Sequence, residues 1–435
     1  MINIMNRVAF QTFGCKLNFS ETSSISKSFL KEGYESVDFK EEADVYVINS
    51  CTVTGNAEKK CKTAIKQAHK RNPNARIAII GCFSQIRPDE LAGMDGVDLV
   101  LGNNDKFNIL DHLNNFEKNH PTETVISTSD LKTDLSFYPS YSSGDRTRSF
   151  LKVQDGCDYF CSFCTIPHAR GRSRSNTIEN TLKVAREIAA SEIKEIILTG
   201  VNVGDFGKRN NESFFDLLKQ LDHIEGIDRI RISSIEPDLL SNDIIRFVAN
   251  SNKFLPHFHI PLQSGSKKIL KAMKRKYTPS LFADRVSVIK EVMPHCLIAA
   301  DVIVGFPDET EEDFQEAYEF IRDTDITYTH VFSYSDRPGT HASKSEVKVP
   351  LQIIRERSRK LQQLSNRKKL QFYNDHIGFI TKVLFESDNN DGFMHGFSEN
   401  YIKVKTPHNS DLINKIINVK LSKIDTDGVF LIDFL

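Results

Sequence analysis

Six short runs rich in β-branched residues recur roughly every 30 to 45 positions in the middle of the chain: Ser149–Val153, Glu195–Leu198, Arg229–Ser233, Phe258–Pro261, Leu297–Val304 and Thr329–Tyr334. Helical patterns such as Thr177–Ala190 and Leu281–Met293 lie between them. Strands separated by helices are forced into parallel pairing, because each helix must carry the chain back along the sheet. Eight such units close a full barrel. Six predict a partial (β/α)6 barrel, open along one side.

At 435 residues the chain is too long for a single core, and two to four domains are expected. A first βαβα series precedes the barrel, with strand candidates Val8–Phe13, Asp44–Ile48, Ile77–Ile80 and Val97–Val100 and helical patterns Glu21–Glu32 and Ala57–Arg71. That alternation predicts a doubly wound parallel α/β domain over residues 1–140. Thr, Ser, Pro and Asp crowd the stretch from Glu117 to Ser149, which reads as a linker. The barrel domain is assigned to 141–372. It ends in a helical segment, 351–372, with seven basic residues against Glu356 alone. Residues 373–435 break into five short β-runs, Gly378–Phe385, Phe393–Phe397, Tyr401–Lys405, Ile416–Ile424 and Val429–Leu435, the pattern of a small β-barrel.

No apolar run reaches the roughly 18 residues of a membrane-spanning helix. The opening MINIMNRVAFQTFGC carries no apolar leader core, so a cytoplasmic location is expected. Eight cysteines in such a chain read as free thiols or metal ligands, not a disulfide framework.

Their positions carry the chemistry. Cys157, Cys161 and Cys164 form C-x3-C-x2-C directly after the first barrel strand. Three thiolates on one loop suit one face of an iron–sulfur cube, and with no fourth cysteine nearby one iron would stay open to a small ligand. A zinc site completed by His168 and a chance cluster are the alternatives. Tyr159, Phe160 and Phe163 make the loop apolar, which suits a redox centre. In the first domain Cys15, Cys51 and Cys82 each follow a strand, after Gly14, Ser50 and Gly81. The carboxyl ends of parallel strands share one edge, where ligands bind. Three loops thus deliver three thiols to one place and predict a second cluster. Cys61 falls on the apolar face of a helix with Ala57, Ala64 and Ala68, and Cys296 precedes a strand; both read as structural.

The C-x3-C-x2-C loop with an aromatic before its last cysteine resembles the radical S-adenosylmethionine superfamily. Together with FGCKLN, INSCTVT, IGCFSQ and QDGCDYFCSFCTIPHARGRSRS, the chain is similar to its methylthiotransferases, with a C-terminal module like the TRAM domain. Within that family those motifs resemble the subgroup that acts on N6-threonylcarbamoyladenosine beside the tRNA anticodon. Relatives modify isopentenyladenosine in tRNA or an aspartate of a ribosomal protein.

The resemblance implies two [4Fe-4S] clusters, one on Cys157, Cys161 and Cys164 and one on Cys15, Cys51 and Cys82, with two S-adenosylmethionine molecules used per turnover. A 5′-deoxyadenosyl radical would take the adenine C2 hydrogen, and a methylthio group would replace it at position 37. Tyr159, Phe163, Thr199, Gly200, Glu236, Gln263 and Val304 are expected to line the S-adenosylmethionine site. The groups acting on isopentenyladenosine or the ribosomal aspartate tend to carry His where this chain has Glu236. The expected partners are tRNA and an external electron donor such as flavodoxin or ferredoxin, with no membrane.

Arg170, Arg172 and Arg174 follow the cluster loop and are expected to face phosphate, or the carboxylate of a threonylcarbamoyl group. Further basic runs at 59–71 and 267–276 suit a tRNA backbone. The C-terminal module argues the other way: with six Lys, no Arg and nine acidic residues over 373–435, it is acidic by three charges. A non-catalytic iron–sulfur RNA-binding protein is the alternative of a different class. An open iron is of no use to a pure electron carrier, which disfavours it.

Overall fold

The computed structural model describes residues 6–119, 123–143 and 147–435. The first five residues, and 120–122 and 144–146 of the expected linker, lie outside the described residues. The chain divides into two compact units, each discontinuous in sequence. Unit 1 comprises Met1–Ser143, Phe150–Asp158 and Cys164–Asn176; unit 2 comprises Gly144–Ser149, Tyr159–Phe163 and Thr177–Leu435.

Unit 1 is built on six parallel strands: β1 (Arg7–Thr12), β2 (Glu35–Val37), β3 (Val45–Ser50), β4 (Arg76–Gly81), β5 (Leu99–Leu101) and β6 (Val125–Ser127). Their order is β2-β1-β3-β4-β5-β6. Alternate residues enter two separate cores. Ala9, Tyr46, Ile48, Ile77 and Ile79 face one layer, and Val8, Val45, Val47, Ala78 and Ile80 face the other. A sheet covered on both faces needs unbroken apolar strands, which is why all six residues of β3 are buried. The Gly55–Arg71 helix covers one face, started by the Thr54 side chain accepting from the Ala57 N–H.

β2 and β6 extend the sheet beyond the expected four strands. β6 falls inside the stretch expected to be a linker, which is thus partly structured. Both are three-residue edge strands, too short to show a period of two. β7 (Arg148–Lys152) crosses the division between the units. β8 (Gln154–Asp155) and β9 (Arg174–Ser175) form an antiparallel pair in unit 1.

Unit 2 continues the barrel series with β10 (Glu195–Thr199), β11 (Arg229–Ile232), β12 (His257–His259), β13 (Leu297–Val304) and β14 (Tyr328–Ser333). β10 pairs parallel with β11, and β12-β13-β14 form a second parallel set. Single parallel bridges, Ile230 with Phe254 and Ser234 with His259, join the two sets. The basic helix spans Leu351–Asn374. It leads into a closed five-stranded barrel of β15 (Ile380–Phe385), β16 (Phe393–Ser398), β17 (Lys403–Pro407), β18 (Ile416–Ile424) and β19 (Phe430–Phe434). Its apolar interior, with Val383, Phe385, Val404 and Phe430, is continuous with Leu297 and Ala299 of β13. Among the described residues no helix is long and apolar enough to cross a membrane.

Candidate functional site

In unit 1 the strands β1, β3 and β4 are adjacent and parallel. Cys15, Cys51 and Cys82 follow their carboxyl ends and so meet on one sheet edge. Cys15 caps the Lys16–Lys31 helix, and Cys82 opens the Cys82–Ile86 helix. Gly14 has φ +102°, and a Cβ there would lie 2.8 Å from Cys51 Cβ and 2.9 Å from its sulfur. Glycine is therefore required for the first and second thiols to approach. Asn18 ties the same two loops, its Nδ2 donating to Phe13 O at 2.7 Å and Ser50 O at 3.1 Å. Burial pushes the Cys51 thiol up to about 12.

Behind these thiols lies a buried ionic cluster. Arg170 donates to both oxygens of Glu21 at 3.0 Å and to Asp155 at 2.9 Å. Lys152 bridges Glu21 and Asp155, each at 2.8 Å. Lys106 donates to Glu21 and to Asn103 Oδ1, both at 2.7 Å. Arg174 reaches Asp155 at 3.3 Å. Four cations thus face two carboxylates, a formal excess of two positive charges in the interior. The amides of Asn18 and Asn103 carry it toward sulfur: Arg170 donates to Asn18 Oδ1 at 2.6 Å, and Asn103 Nδ2 lies 3.6 Å from Cys82 Sγ. Burial opposes the charge on Arg170, yet Glu21, Cys82 and Asp155 hold its pKa well above the ordinary value.

The C-x3-C-x2-C loop is divided between the units, Cys157 and Cys164 in unit 1 and Cys161 in unit 2. The Cys157 N–H donates to Gly171 O at 3.0 Å. Cys164 Sγ accepts from the Ile166 N–H at 3.4 Å. Around Cys161, Ser162 is pinned by its N–H to Met273 O at 3.1 Å and by the Ala342 N–H on its own carbonyl at 2.7 Å. Arg275 donates to Cys161 Sγ at 3.1 Å and pairs with Glu236. Tyr277 receives the Arg275 Nε–H at 3.1 Å and donates to Pro261 O at 2.5 Å. Burial raises the Glu236 carboxyl, opposed by Arg275. Tyr159 donates to Asp238 at 2.6 Å, under the Lys276 ammonium 4.0 Å from its ring.

The remaining expected residues sit at strand ends of this unit. Thr199 ends β10 and Gly200 follows it; Val304 ends β13. Gln263, at φ 62°, donates its N–H to Asp301 O at 2.7 Å and accepts from the Ile303 N–H at 2.9 Å. Phe163 packs edge-on against Phe306, ring centres 6.5 Å apart.

Two expectations change. Arg170 and Arg174 are 1% and 4% exposed, and their donors are spent inside unit 1; Arg174 bonds Ser136 O, Arg170 O and Asn104 Oδ1. Neither presents a free fork to substrate. Arg172 alone is half-exposed, beside Asp158 at 3.5 Å. Arg275, read as part of a basic run suited to a tRNA backbone, is instead buried against Glu236 and Cys161. No local pattern distinguishes it from its lysine neighbours. Cys61 is buried in an alanine-rich core, and Cys296 is fully buried with its sulfur near Leu297 O.

Comparison with known proteins adds to this geometry. Residues 7–102 match the model of Uncharacterized protein family UPF0004, and residues 151–321 match that of the Radical SAM superfamily. The chain is 40% identical to the threonylcarbamoyladenosine tRNA methylthiotransferase MtaB of Bacillus subtilis, covering 96% of this chain and 94% of the relative. It is 40% identical to the MtaB of Aquifex aeolicus, over 92% and 96%. A tRNA-2-methylthio-N(6)-dimethylallyladenosine synthase of Clostridium botulinum is 32% identical, over 98% and 96%. Among solved structures, the radical S-adenosylmethionine methyltransferase TsrM of Kitasatospora setae, with cobalamin and a [4Fe-4S] cluster bound, shares the fold. It superposes with TM-score 0.59 at 14% identity, over 78% of this chain and 77% of that one.

Proposed function

The chain belongs to the radical S-adenosylmethionine tRNA methylthiotransferases, and on that premise we propose that it methylthiolates C2 of N6-threonylcarbamoyladenosine at position 37 of tRNA. The observation that carries the reading is the pairing of a three-thiol sheet edge with a C-x3-C-x2-C loop in one chain. The MtaB proteins of Bacillus subtilis and Aquifex aeolicus are more similar to this chain than the Clostridium botulinum dimethylallyladenosine synthase, 40% against 32%.

The donor sets fit the two clusters. Three thiolates on a cubane make an anionic group, and the excess of two buried positive charges behind Cys15, Cys51 and Cys82 supplies the matching field. Cys157, Cys161 and Cys164 would hold the other cluster, with Arg275 compensating charge at Cys161. When bound, the clusters and S-adenosylmethionine supply hydrogen abstraction from an unactivated C–H and the sulfur and methyl of the new group.

The protein's own part is positioning. Tyr159, Phe163, Thr199, Gly200, Gln263 and Val304 line the carboxyl ends of the barrel strands, where S-adenosylmethionine would lie. Glu236 serves there through Arg275, which its carboxylate holds. Arg172 is the arginine left to meet substrate. In this scheme residues 1–140 hold the second cluster, 141–372 cleave S-adenosylmethionine, and 373–435 form the TRAM-like module. A cytoplasmic enzyme fed by a flavodoxin- or ferredoxin-type donor completes the reading.

Mass spectrometry of tRNA nucleosides from cells with and without the gene tests it. 2-Methylthio-N6-threonylcarbamoyladenosine should disappear on deletion and return with the wild-type gene. Loss of the isopentenyl counterpart instead would assign the other substrate. Reconstitution should give about eight irons per chain, falling to about four when either cysteine triad is replaced by Ala.

A further inference from the structure

Three adjacent strands of unit 2 carry a set of metal-ligating side chains apart from any cysteine. β12, β13 and β14 are parallel, with His259 opposite Ala299 and Asp301 opposite His330. Strand side chains alternate faces, so Leu297, Ala299 and Asp301 share one face of β13. The register places His259 and His330 on that same face.

The side chains converge. His259 Nε2 lies 2.9 Å from Asp301 Oδ1, and the imidazoles of His259 and His330 have centres 5.5 Å apart. One ligand atom from each of the three lies within 4.8 Å of the others. His259 Nε2 is itself buried and, beyond its ion-pair contact with Asp301, makes no hydrogen bond. The nitrogen and the carboxylate oxygen thus lie close enough together, with His330 beside them, to share one ion.

We propose that His259, Asp301 and His330 form a binding site for a divalent transition-metal ion. Two imidazoles and one carboxylate suit zinc, iron(II) or manganese, where a set of oxygens alone would favour magnesium or calcium. A doubly charged ion against one carboxylate leaves a net positive centre, and three protein ligands leave at least one coordination position open. The chemical class of ligand that position accepts is an anionic oxygen, a carboxylate above all. Asp301 also follows directly on the backbone contact to Gln263, since its carbonyl accepts the Gln263 N–H. Asp301 and His330 each lie three residues before the ends of β13 and β14, and His259 ends β12. The site itself does not depend on that function.

Zinc is the probe. Anaerobically reconstituted full-length protein is dialysed against micromolar zinc chloride, and iron and zinc are counted together by mass spectrometry of the elements. Wild type should retain one zinc per chain beyond its iron. His259→Ala, Asp301→Asn and His330→Ala should each weaken zinc binding at least tenfold while iron stays at the wild-type count. X-ray absorption at the zinc edge should show nitrogen and oxygen neighbours at about 2.0–2.1 Å and no sulfur. His330 is exposed, so its variant tests the site without risk to the fold. Zinc retained equally by all three variants, sulfur in the coordination shell, or no zinc on wild type would each overturn the proposal. Because iron content and tRNA modification are read separately, failure here is distinguishable from failure of the methylthiotransferase reading.

Discussion

Arg170 and Glu21, 149 residues apart in sequence, meet through two parallel hydrogen bonds of 3.0 Å with both side chains about 1% exposed. A planar fork on a carboxylate is the strongest form of ion pair available to the chain. Removing Arg170 leaves the buried Glu21 carboxylate to Lys106 and Lys152 alone, while removing both strips those lysines of a carboxylate and keeps the excess of buried positive charge. Arg170→Met should therefore cost about 3–5 kcal/mol in chemical denaturation. Arg170→Met with Glu21→Leu also leaves the buried Lys106 without its carboxylate and should cost more than Arg170→Met alone. A double variant as stable as the single one would show that packing, not charge, sets the cost.

The same carboxylate gives unit 1 an acid dependence. Burial alone would raise the Glu21 pKa, but Arg170, Lys106 and Lys152 hold it far below the ordinary value. A depressed carboxylate stabilises the fold above its unfolded pKa of about 4.3 and loses that contribution as pH falls through the native value. Stability should drop between roughly pH 5 and 2, and Glu21→Gln should flatten that slope. Denaturation midpoints at stepped pH are the measurement.

Gly14 offers a test of the sheet-edge thiols. Both Gly14 and Gly33 adopt positive φ, +102° and +84°, but only at Gly14 would an added Cβ meet Cys51; at Gly33 nothing lies within 4 Å. Left-handed strain costs each alanine variant about 1–2 kcal/mol. Gly14→Ala should additionally displace Cys51 and cut reconstituted iron toward about four per chain, the share of one cubane. Gly33→Ala should keep the wild-type iron content.

Arg172 is the remaining arginine of its loop with an exposed fork. Arg172→Ala should leave stability within about 0.5 kcal/mol, as surface changes do. It should lower kcat/KM for threonylcarbamoyl-bearing tRNA roughly tenfold, through loss of about 1.4 kcal/mol of charge-assisted contact. Unchanged kcat/KM would remove Arg172 from recognition and leave the barrel interior to read the substrate.

What was legible in the sequence follows from how local each signal is. The strands ending at Cys51 and Cys82 show in composition because both sheet faces are covered, so every residue of β3 is apolar or internally bonded. The three-thiol edge follows from parallel topology and needed no contact information. Burial of Arg170 and Arg174 could not be read, because alternating Arg with Gly and Ser looks the same on a surface and inside an ion cluster. Their partners Glu21, Asn104 and Ser136 lie far away along the chain. The His259–Asp301–His330 face was equally hidden: each residue lies on a different strand, and only the register across three strands joins them.

Arg275 touches Cys161 and Glu236 at once, and a double-mutant cycle separates its two roles. The guanidinium is 4% exposed and Glu236 14%. Burial opposes charge on Arg275, yet Glu236, Tyr277 and Cys161 keep its pKa well above the ordinary value. Arg275→Leu should cost about 3–5 kcal/mol, since it strands Glu236 in the interior. Glu236→Gln keeps a hydrogen-bond acceptor for the arginine and should cost less, about 1.5–3 kcal/mol. If the pair acts as a unit, the double variant should fall short of the sum by about 1–3 kcal/mol. Iron content reads the other contact. Glu236→Gln leaves Arg275 on the Cys161 sulfur and should retain both clusters, whereas Arg275→Leu should lose the one on the C-x3-C-x2-C loop. Strict additivity in stability, or equal iron in both variants, would show that Arg275 is only a packed side chain and that Cys161 does not rely on it.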